Sequence, residues 1–479
     1  MIVIKFGGTS VGDAQRVSNA IEIVEQRRQL KPIVVVSALA GVTNELVAAT
    51  EAARACDADR VAEIVSRIRQ RHEDVALQLV QQKIDFFEAF TRQLDKQIDQ
   101  IHTILRGIAL LGEITMRAKD KVVAIGEKLS SVLFAYSMMM RALPGEHVDS
   151  EEVVITDNRF GEASPLMEDT REAARRVLLP LLERNLIPVM GGFIGRTRDG
   201  ATTTLGRGGS DYSAAIVGAA VGADEIQIWT DVDGMMTCDP RLIPGARVIE
   251  RISYVEAAEL AWFGAKVLHP KTIAPAVEQN IPVRVLNTHN VSSGGTLVTA
   301  EGDTREQGPR AIAVKRGVTV VHMTSNKMLG AHGFLARLFA VFEQLEISVD
   351  LITTSEVSVS VTIDEKQNLP ALVEKLAPVA DVNVIDNQCI VAVVGRNLMH
   401  DTEVAARIFE ALNGVPIAMF SMGTSGLNLS IVMDEQHADR AVKAIHRALF
   451  EEAGLGPRAS GLGATLAENR GPRTEDRGR

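Results

Sequence analysis

Residues 5–10, Lys-Phe-Gly-Gly-Thr-Ser, have the composition of an anion-binding loop and begin at the end of a β-rich run at residues 2–6. Two glycines let backbone N–H groups approach an anion, and Lys5 supplies a point charge for phosphate oxygens. Thr9 and Ser10 add hydroxyls, and Ser10 could cap the next helix. No Gly-Lys-Ser/Thr ends the loop, so it is not a Walker motif. The alternative is a tight turn with a solvated lysine.

A second glycine-rich segment spans residues 202–213, Thr-Thr-Thr-Leu-Gly-Arg-Gly-Gly-Ser-Asp-Tyr-Ser, and opens into an alanine-rich helical pattern. It combines a flexible backbone with the fork-shaped cation of Arg207 and the carboxylate of Asp211. These two groups suit the carboxylate and the ammonium of a free amino acid. The alternative is a structural loop in which Asp211 caps the helix.

Two further segments place charged residues beside strands. Thr230 and Asp231 follow the predicted strand 226–229, with Arg241 ten residues after Asp231. Acidic residues at a strand end can contact a ribose, a base edge or Mg²⁺-bound water. The sequence Asp-Gly at 233–234 is equally typical of a plain turn. Lys266, in residues 263–270, is a second lysine that could reach phosphates, although a lone lysine is more often solvated.

The periodicity predicts strands alternating with helices. Continuous apolar runs at residues 2–6, 33–37, 187–193 and 225–230 are typical of strands buried on both faces, and residues 14–25 have helical spacing. Residues 44–143 are mainly helical in pattern. The sequence therefore predicts a mainly parallel sheet whose ligands gather at the carboxyl ends of its strands.

Residues 287–308 are rich in Asn, Ser, Gly and Asp and predict a domain boundary. Beyond them a strand–helix–strand–strand order occurs twice, which indicates paired small α/β modules. The first module is predicted at 318–323, 333–345, 348–352 and 358–363. The second is predicted at 389–394, 402–412, 416–421 and 428–433, with a final helix at 438–450. Residues 454–479 have little to bury and predict a disordered tail.

The 479-residue chain is 46% hydrophobic and 23% charged, which is ordinary globular composition. Its net charge of −10 argues against non-specific nucleic-acid binding. The three cysteines lie far apart and show no metal-ligand spacing, which favours a reducing cytoplasm. Neither a signal peptide nor a membrane-spanning run is expected.

Together these segments closely resemble the aspartokinases of the amino-acid kinase superfamily. The resemblance rests on residues 5–10, 37–44 (SALAGVTN), 202–214, 229–241 and 263–270, and it covers the chain from residue 1 to about 450. It implies a three-layer amino-acid kinase domain at 1–300 with a mainly parallel sheet. Two ferredoxin-like ACT domains are implied at 310–387 and 388–453. Residues 333–335 and 347–356 resemble the lysine-sensitive class, and no further enzymatic domain is expected.

The resemblance also implies roles for individual residues. Lys5, Lys266 and Asp211 are expected to be catalytic. The implied substrate contacts are Ser37, Thr43, Glu127, Phe193, Arg207, Ser210 and Asp211. The implied ATP contacts are Lys5, Gly7, Gly8, Thr230, Asp231, Arg241 and Lys266. The implied effector contacts are Met328, Ser348, Asp350, Thr354, Ser355 and Glu356. The chain departs from the family at Met236, where a tyrosine is common, and at residues 329–332.

The implied reaction transfers the γ-phosphate of ATP, with Mg²⁺, to the β-carboxylate of aspartate, the first step towards lysine, threonine and methionine. That carboxylate has a pKa of about 3.9, so no general base is needed. No tightly bound cofactor or resident metal is expected. The implied partners are aspartate, ATP, a regulatory amino acid expected to be lysine, and a second copy of the chain joined through the ACT domains. The alternatives are a kinase of another carboxylate, such as glutamate or acetylglutamate, and a non-catalytic amino-acid sensor.

Overall fold

A computed structural model describes residues 1–80, 84–264, 267–304, 307–364, 367–423 and 425–451. Lys266 and the predicted tail at 454–479 lie outside these residues.

An eight-stranded sheet organises the first 300 residues, in the order β3-β5-β2-β1-β8-β10-β11-β9. Its neighbouring strands are parallel except for the β10–β11 pair, so the prediction of a mainly parallel sheet is confirmed. A small sheet, β4-β6-β7, lies beside it. The strands are β1 (Ile2–Phe6), β2 (Pro32–Val36), β3 (Gly145–Val148), β4 (Ile155–Thr156), β5 (Ile187–Gly191), β6 (Ile194–Thr197), β7 (Thr202–Thr204), β8 (Glu225–Thr230), β9 (Arg251–Ser253), β10 (Val283–Asn287) and β11 (Thr296–Thr299).

Helices cover both faces of the large sheet, which gives the predicted three layers. Alternate residues of β1 enter different cores: Val3 packs with the helices α6 to α9, whereas Ile4 packs with α1 to α5. Lys5 follows the register of Val3 and so points to the α7 side. The helices are α1 (Ala14–Gln26), α2 (Val42–Arg54), α3 (Ala58–Val80), α4 (Ile84–Leu111), α5 (Met116–Met140), α6 (Met167–Glu183), α7 (Gly209–Val221), α8 (Tyr254–Trp262) and α9 (Pro270–Glu278).

Helix α5 is long and apolar enough to cross a membrane by length and composition alone. However, 78% of its apolar window is buried inside the protein, as in the core helix of a soluble protein. It therefore gives only weak evidence for a membrane span.

A second sheet has the order β13-β14-β12-β15-β17-β16 and is built around two long antiparallel strands. Its elements are β12 (Gly308–Thr324), α10 (Phe334–Gln344), β13 (Ile352–Thr354), β14 (Ser358–Ile363), α11 (Leu369–Leu376), β15 (Asp381–Arg396), α12 (Thr402–Ala411), β16 (Met419–Met422), β17 (Asn428–Asp434) and α13 (Ala438–His446).

The two long strands divide this sheet into two units. Residues 318–324 of β12 pair with 381–388 of β15, and residues 308–316 pair with 389–396, with a register shift between the halves. We call residues 318–385 the first C-terminal unit, and residues 308–316 with 389–451 the second C-terminal unit. The second unit thus takes a strand that precedes the first unit along the chain. The predicted boundaries at 310–387 and 388–453 stay a prediction.

Several element predictions need correction. The strand predicted at 348–352 lies at Ile352–Thr354, because Asp350 and Leu351 both bond to Thr362 before the regular pairing with β14 begins. The strand predicted at 416–421 lies at Met419–Met422. Strand β11 lies inside the segment 287–308 that was predicted as a boundary. The last helix is α-helical only to His446 and then continues as a π-turn.

Candidate active site

The carboxyl ends of β1, β2 and β8 bring three predicted loops to one edge of the sheet. Lys5 pairs in register with Val35 and Ile228 on its two sides. The N–H of Gly7 donates to the Trp229 carbonyl at 3.1 Å. These bonds fix the phosphate-loop candidate beside the first residues after β8.

The loop at residues 7–12 is held by buried bonds that the sequence did not indicate. The Ser10 hydroxyl is buried and lies 3.3 Å from the Trp229 carbonyl and 3.2 Å from the Thr288 hydroxyl. The prediction that Ser10 caps the next helix is therefore wrong. Asp13 caps it instead, accepting from the Arg16 N–H at 2.9 Å.

Two arginines that lie outside this loop donate hydrogen bonds to its backbone carbonyls. Arg16 Nη1 donates to the Thr9 carbonyl at 2.9 Å, and Arg71 Nη2, from helix α3, donates to the Gly12 carbonyl at 3.3 Å. Sequence spacing gave no signal for Arg71, because its partner lies 59 residues away.

An open cleft of about 240 Å³ lies where these loops meet the start of α7. It is lined by Lys5, Ser37, Thr43, Glu127, Phe193, Gly206, Gly208, Gly209, Ser210 and Asp211. The structure thus brings together seven of the predicted catalytic and substrate-binding residues in one place. Arg207 lies on the same glycine-rich turn but is exposed and is not part of the lining.

Lys5 and Asp211 form an ion pair across the cleft. Lys5 Nζ lies 2.6 Å from Asp211 Oδ1, and Lys5 is only 7% exposed. Helix α7 begins after Gly208, which has a left-handed backbone, and no side chain caps it. The alternative role of Asp211 as a helix cap is therefore wrong. The pair leaves a lysine ammonium fixed beside the glycine loop, 3.5 Å from the position that a Cβ on Gly7 would occupy.

Glu127 is a buried carboxyl group from α5 that faces the same cleft. Its Oε2 atom is buried and has no hydrogen-bond partner among the described residues. Burial raises the pKa of Glu127 to about 8, although a backbone hydrogen bond from Ala38 opposes the shift. A buried carboxyl with a free oxygen is well suited to pair with a ligand ammonium, which would offset its desolvation.

The turn after β5 closes the cleft, and the sequence implied a role only for its Phe193 and not for Gly191 or Gly192. A Cβ on Gly192 would lie 2.8 Å from the Cα of Ser210, and one on Gly191 would lie 3.0 Å from Glu127. Phe193 has a positive φ of 67° and is bonded through its N–H to the Ser213 hydroxyl at 2.8 Å. A Gly-Gly pair at a strand end was the available signal, and it is the same signal that marked residues 7–8.

The predicted nucleotide contacts lie beside the cleft or further away. Thr230 and Asp231 follow β8 next to the glycine loop, and Thr230 is tied to the loop after β10 through Thr288. The Arg241 side chain is 88% exposed and pairs with Asp239 at 2.6 Å. Met236 forms a backbone bridge with Val248.

Known proteins resemble the chain along nearly its whole length. The amino acid kinase family model matches residues 1–287, and an ACT domain model matches residues 321–373 and 391–449. "Aspartokinase 3, chloroplastic" of Arabidopsis thaliana is 38% identical over 464 residues, covering 94% of this chain and 81% of the relative. "Lysine-sensitive aspartokinase 3" of Escherichia coli K12 is 35% identical over 461 residues, covering 94% and 99%. The chain belongs to the aspartokinases.

Solved aspartokinase structures share the fold. E. coli aspartokinase III in complex with aspartate and ADP (R-state) matches with a TM-score of 0.80 at 36% identity, covering 94% of this chain and 100% of that chain. The same enzyme in complex with lysine and aspartate (T-state) matches with a TM-score of 0.79, covering 94% and 99%. The chain is accordingly an aspartate kinase with ACT domains, and the non-catalytic alternative is not supported.

In this aspartokinase the predicted effector residues lie in the first C-terminal unit. Met328 lies on a short 3₁₀ turn after β12, and Ser355 forms the tight turn between β13 and β14 by accepting from the Ser358 N–H at 3.1 Å. Ser348, Thr354, Ser355 and Glu356 are exposed. The Asp350 carboxyl points inward instead and is almost fully buried, with 3% of its side chain exposed.

No group of three or more His, Cys, Asp or Glu side chains within the described ranges could hold a metal ion. Asp211 and Asp231 are therefore single carboxylates and do not belong to such a group among the described residues.

Proposed function

We propose that the cleft aligns the β-carboxylate of L-aspartate with the γ-phosphate of ATP and that the product is 4-phospho-L-aspartate. The observation that supports this most strongly is the placement of the Lys5 ammonium between the glycine loop and the residues facing the cleft. An oxygen of the β-carboxylate forms a bond to the γ-phosphorus while the bond to the ADP oxygen breaks. No proton has to move, since the acceptor has a pKa of about 3.9 and is already ionised.

In this reaction the chain's own groups position the two substrates and neutralise the charge of the phosphates, as in other phosphoryl transfers. Lys5 and the glycine loop face the phosphates, with the Gly7 N–H left out because it donates to the Trp229 carbonyl. Glu127 pairs with the substrate ammonium, while Ser37, Thr43 and Ser210 bind its polar groups. Arg207, on the glycine-rich turn beside the cleft, is proposed to bind the substrate α-carboxylate. Lys266 is proposed as the second phosphate lysine, on the resemblance alone.

ATP is proposed to bind with Mg²⁺, which supplies further charge neutralisation at the phosphates. Since the described residues offer isolated carboxylates, the nucleotide oxygens are proposed as the main ligands. Thr230, Asp231 and Arg241 are proposed to contact the nucleotide.

Regulation is proposed to act through the first C-terminal unit, with lysine as effector, because a relative with this architecture is called lysine-sensitive. A homodimer or larger assembly through the ACT domains, a cytoplasmic location and a role in lysine, threonine and methionine synthesis are proposed on the resemblance. The three cysteines are free, which is compatible with a reducing compartment.

A rate measurement with ATP and a panel of carboxylates tests this function. Acyl phosphate, trapped with hydroxylamine, should form with aspartate and not with glutamate or acetylglutamate. Lys5→Met should lower kcat by about a hundredfold or more, since it removes a fixed charge from the transferred phosphoryl group. Lys96→Met, on the exposed face of α4, is the matched control and should behave as wild type. Activity of Lys5→Met within threefold of wild type would reject the assigned role.

A further inference from the structure

Asp120, in the second turn of helix α5, is a buried carboxylate that is not among the proposed contacts with substrate or nucleotide. The N–H groups of Gly161 and Thr204 donate to its Oδ2 atom at 2.9 Å and 3.0 Å, and the Thr204 hydroxyl donates to its Oδ1 atom at 2.8 Å. These partners lie 41 and 84 residues away along the chain. One carboxylate therefore joins two distant segments to helix α5.

The two segments that Asp120 holds meet at the turn formed by residues 206–209, which contributes glycines to the cleft. Thr204 is the last residue of β7, and the chain enters the turn two residues later. A Cβ on Gly206 would lie 3.3 Å from the Gly161 carbonyl oxygen, so the turn packs closely on Gly161. Asp120 thus fixes both the strand that leads into the turn and the residue against which the turn rests.

Helix α5 bears Asp120 and Glu127 on the same side. The two residues are seven positions apart, which is close to two helical turns. Glu127 lines the cleft, whereas Asp120 anchors the turn that bears Arg207. Because one helix carries both carboxylates, the turn has a defined position relative to Glu127.

Strand β7 is also held at its other end, without Asp120. The Thr202 hydroxyl donates to Glu151 Oε1 at 2.8 Å, and the same oxygen pairs with Lys128 Nζ of α5 at 2.7 Å. The strand pairs with β6 along its length. Loss of the Asp120 carboxylate should therefore release the end of β7 and the turn after it, while the strand itself stays in place.

The start of helix α7 has an anchor of its own. The Phe193 N–H donates to the Ser213 hydroxyl at 2.8 Å. Asp211, two residues before Ser213, is thereby kept beside Lys5. A displaced turn should accordingly leave this ion pair, and with it the phosphate end of the cleft, unchanged.

We propose that Asp120 is a positioning residue for the amino-acid substrate, acting through Thr204 and Gly161 on the turn at residues 206–209. The proposal rests on the proposed function, in which this turn binds the substrate α-carboxylate through Arg207. A turn that is already fixed binds the substrate without a further cost for ordering the loop, whereas a free turn must be ordered on binding. The KM for aspartate should therefore depend on Asp120, and the KM for ATP should not.

Four variants of the full-length enzyme test this role. Asp120→Ala removes all three hydrogen bonds. Asp120→Asn can keep them, because its amide oxygen can accept from both N–H groups while its NH₂ group donates to the Thr204 hydroxyl. Thr204→Val removes the hydroxyl bond alone, and Thr202→Val is its matched control, a similarly buried threonine of the same strand whose hydroxyl donates to Glu151. Both KM values, kcat and the melting temperature are measured for each variant, with the kinetics recorded below every melting transition.

In Asp120→Ala we expect the KM for aspartate to rise about tenfold or more, with the KM for ATP within about twofold of wild type. Thr204→Val should raise the KM for aspartate about threefold, since it loses one of the three bonds. Asp120→Asn and Thr202→Val should keep both KM values within about twofold of wild type. A general loosening of the fold would raise both KM values together, so the difference between them identifies a positioning role.

Equal rises in both KM values of Asp120→Ala, or an aspartate KM within about twofold of wild type, would overturn the proposal. An Asp120→Asn enzyme as impaired as Asp120→Ala would do so too, because the charge and not the three bonds would then matter. If Asp120→Ala does not fold, Thr204→Val is compared with Thr202→Val, and equal aspartate KM values in the two reject the role. If the wild type phosphorylates a different carboxylate, the proposed substrate is wrong, and the same comparison with that carboxylate still tests Asp120.

Discussion

The environment of Glu127 indicates which charge the ligand presents to the cleft. This residue is buried beside Lys5 in the cleft, and its pKa of about 8 means that in the free enzyme it is largely protonated at neutral pH. Desolvation is the main cause, so a cation placed against its free oxygen should reverse the shift. The α-ammonium of aspartate is such a cation.

Aspartate binding should therefore release a proton between pH 6 and 7.5, and affinity should rise with pH up to about 8, where free Glu127 is already ionised. Calorimetry in two buffers of different ionisation enthalpy measures the proton count. Glu127→Gln should abolish the release and weaken binding, whereas Glu146→Gln, at an exposed position of β3, should change neither. Binding without proton release at pH 6.5 would contradict the ammonium contact.

The raised pKa of Glu127 also predicts how the stability of the enzyme changes with pH. The folded pKa of this group lies above the ordinary glutamate value of 4.5, so between 4.5 and about 8 the folded state retains a proton that the unfolded state has lost. The free energy of unfolding of the ligand-free enzyme should fall as pH rises through this window. Glu127→Gln should remove that part of the slope, which urea titrations at a series of pH values would reveal.

At the scale of elements, the site depends on a close approach between the turn after β5 and the first turn of α7. A methyl group on Gly192 would overlap both the Cα and the Cβ of Ser210, at 2.8 Å and 2.7 Å. The start of α7 holds Asp211, and through it Lys5. A displacement of this helix end would therefore disturb both charged groups together.

Gly192→Ala should raise the KM for aspartate about tenfold and cost about 1–3 kcal/mol of stability, because backbone atoms must move apart. Gly107→Ala is a matched control in the interior of α4, where a Cβ meets no atom within 4 Å. It should gain up to about 1 kcal/mol and leave the KM unchanged. A Gly192→Ala enzyme with wild-type KM would show that the close approach does not position the site.

The sequence predicted elements well where one local signal dominates. Apolar runs followed by glycine or aspartate gave the positions of β1, β2, β5 and β8, and with them the edge where the cleft lies. Prediction from the sequence failed where partners that are distant along the chain determine the local structure. Ser10 looked like a helix cap but is bonded to Thr288, 278 residues away. The strand expected at 348–352 begins only at Ile352, because Asp350 and Leu351 bond irregularly to Thr362, with the Asp350 carboxylate paired to Lys315. Local periodicity contains no information on such partners.

For the whole molecule, the cores indicate which parts unfold together. The core on the α7 side of the large sheet continues through Leu260 of α8 to Ala392 of β15. Cys238 and Ile243, from the segment after β8, are buried in the core of the second C-terminal unit. The first C-terminal unit has a core of its own, formed by residues such as Phe342 and Leu372.

This division predicts two levels of opening in hydrogen–deuterium exchange. Phe342→Ala should cost about 3–5 kcal/mol in the core of the first C-terminal unit and raise exchange at residues 318–385 alone. Ile408→Ala, a fully buried residue of the second unit, should cost about 2–5 kcal/mol and also raise exchange at residues 237–247, because that segment buries Cys238 and Ile243 beside it. Thr237 is further tied to this unit, its hydroxyl lying 3.3 Å from His446 Nε2. If both substitutions raised exchange over the same residues, the enzyme would unfold as one cooperative body, and an effector in the first unit would have to act on the whole chain at once.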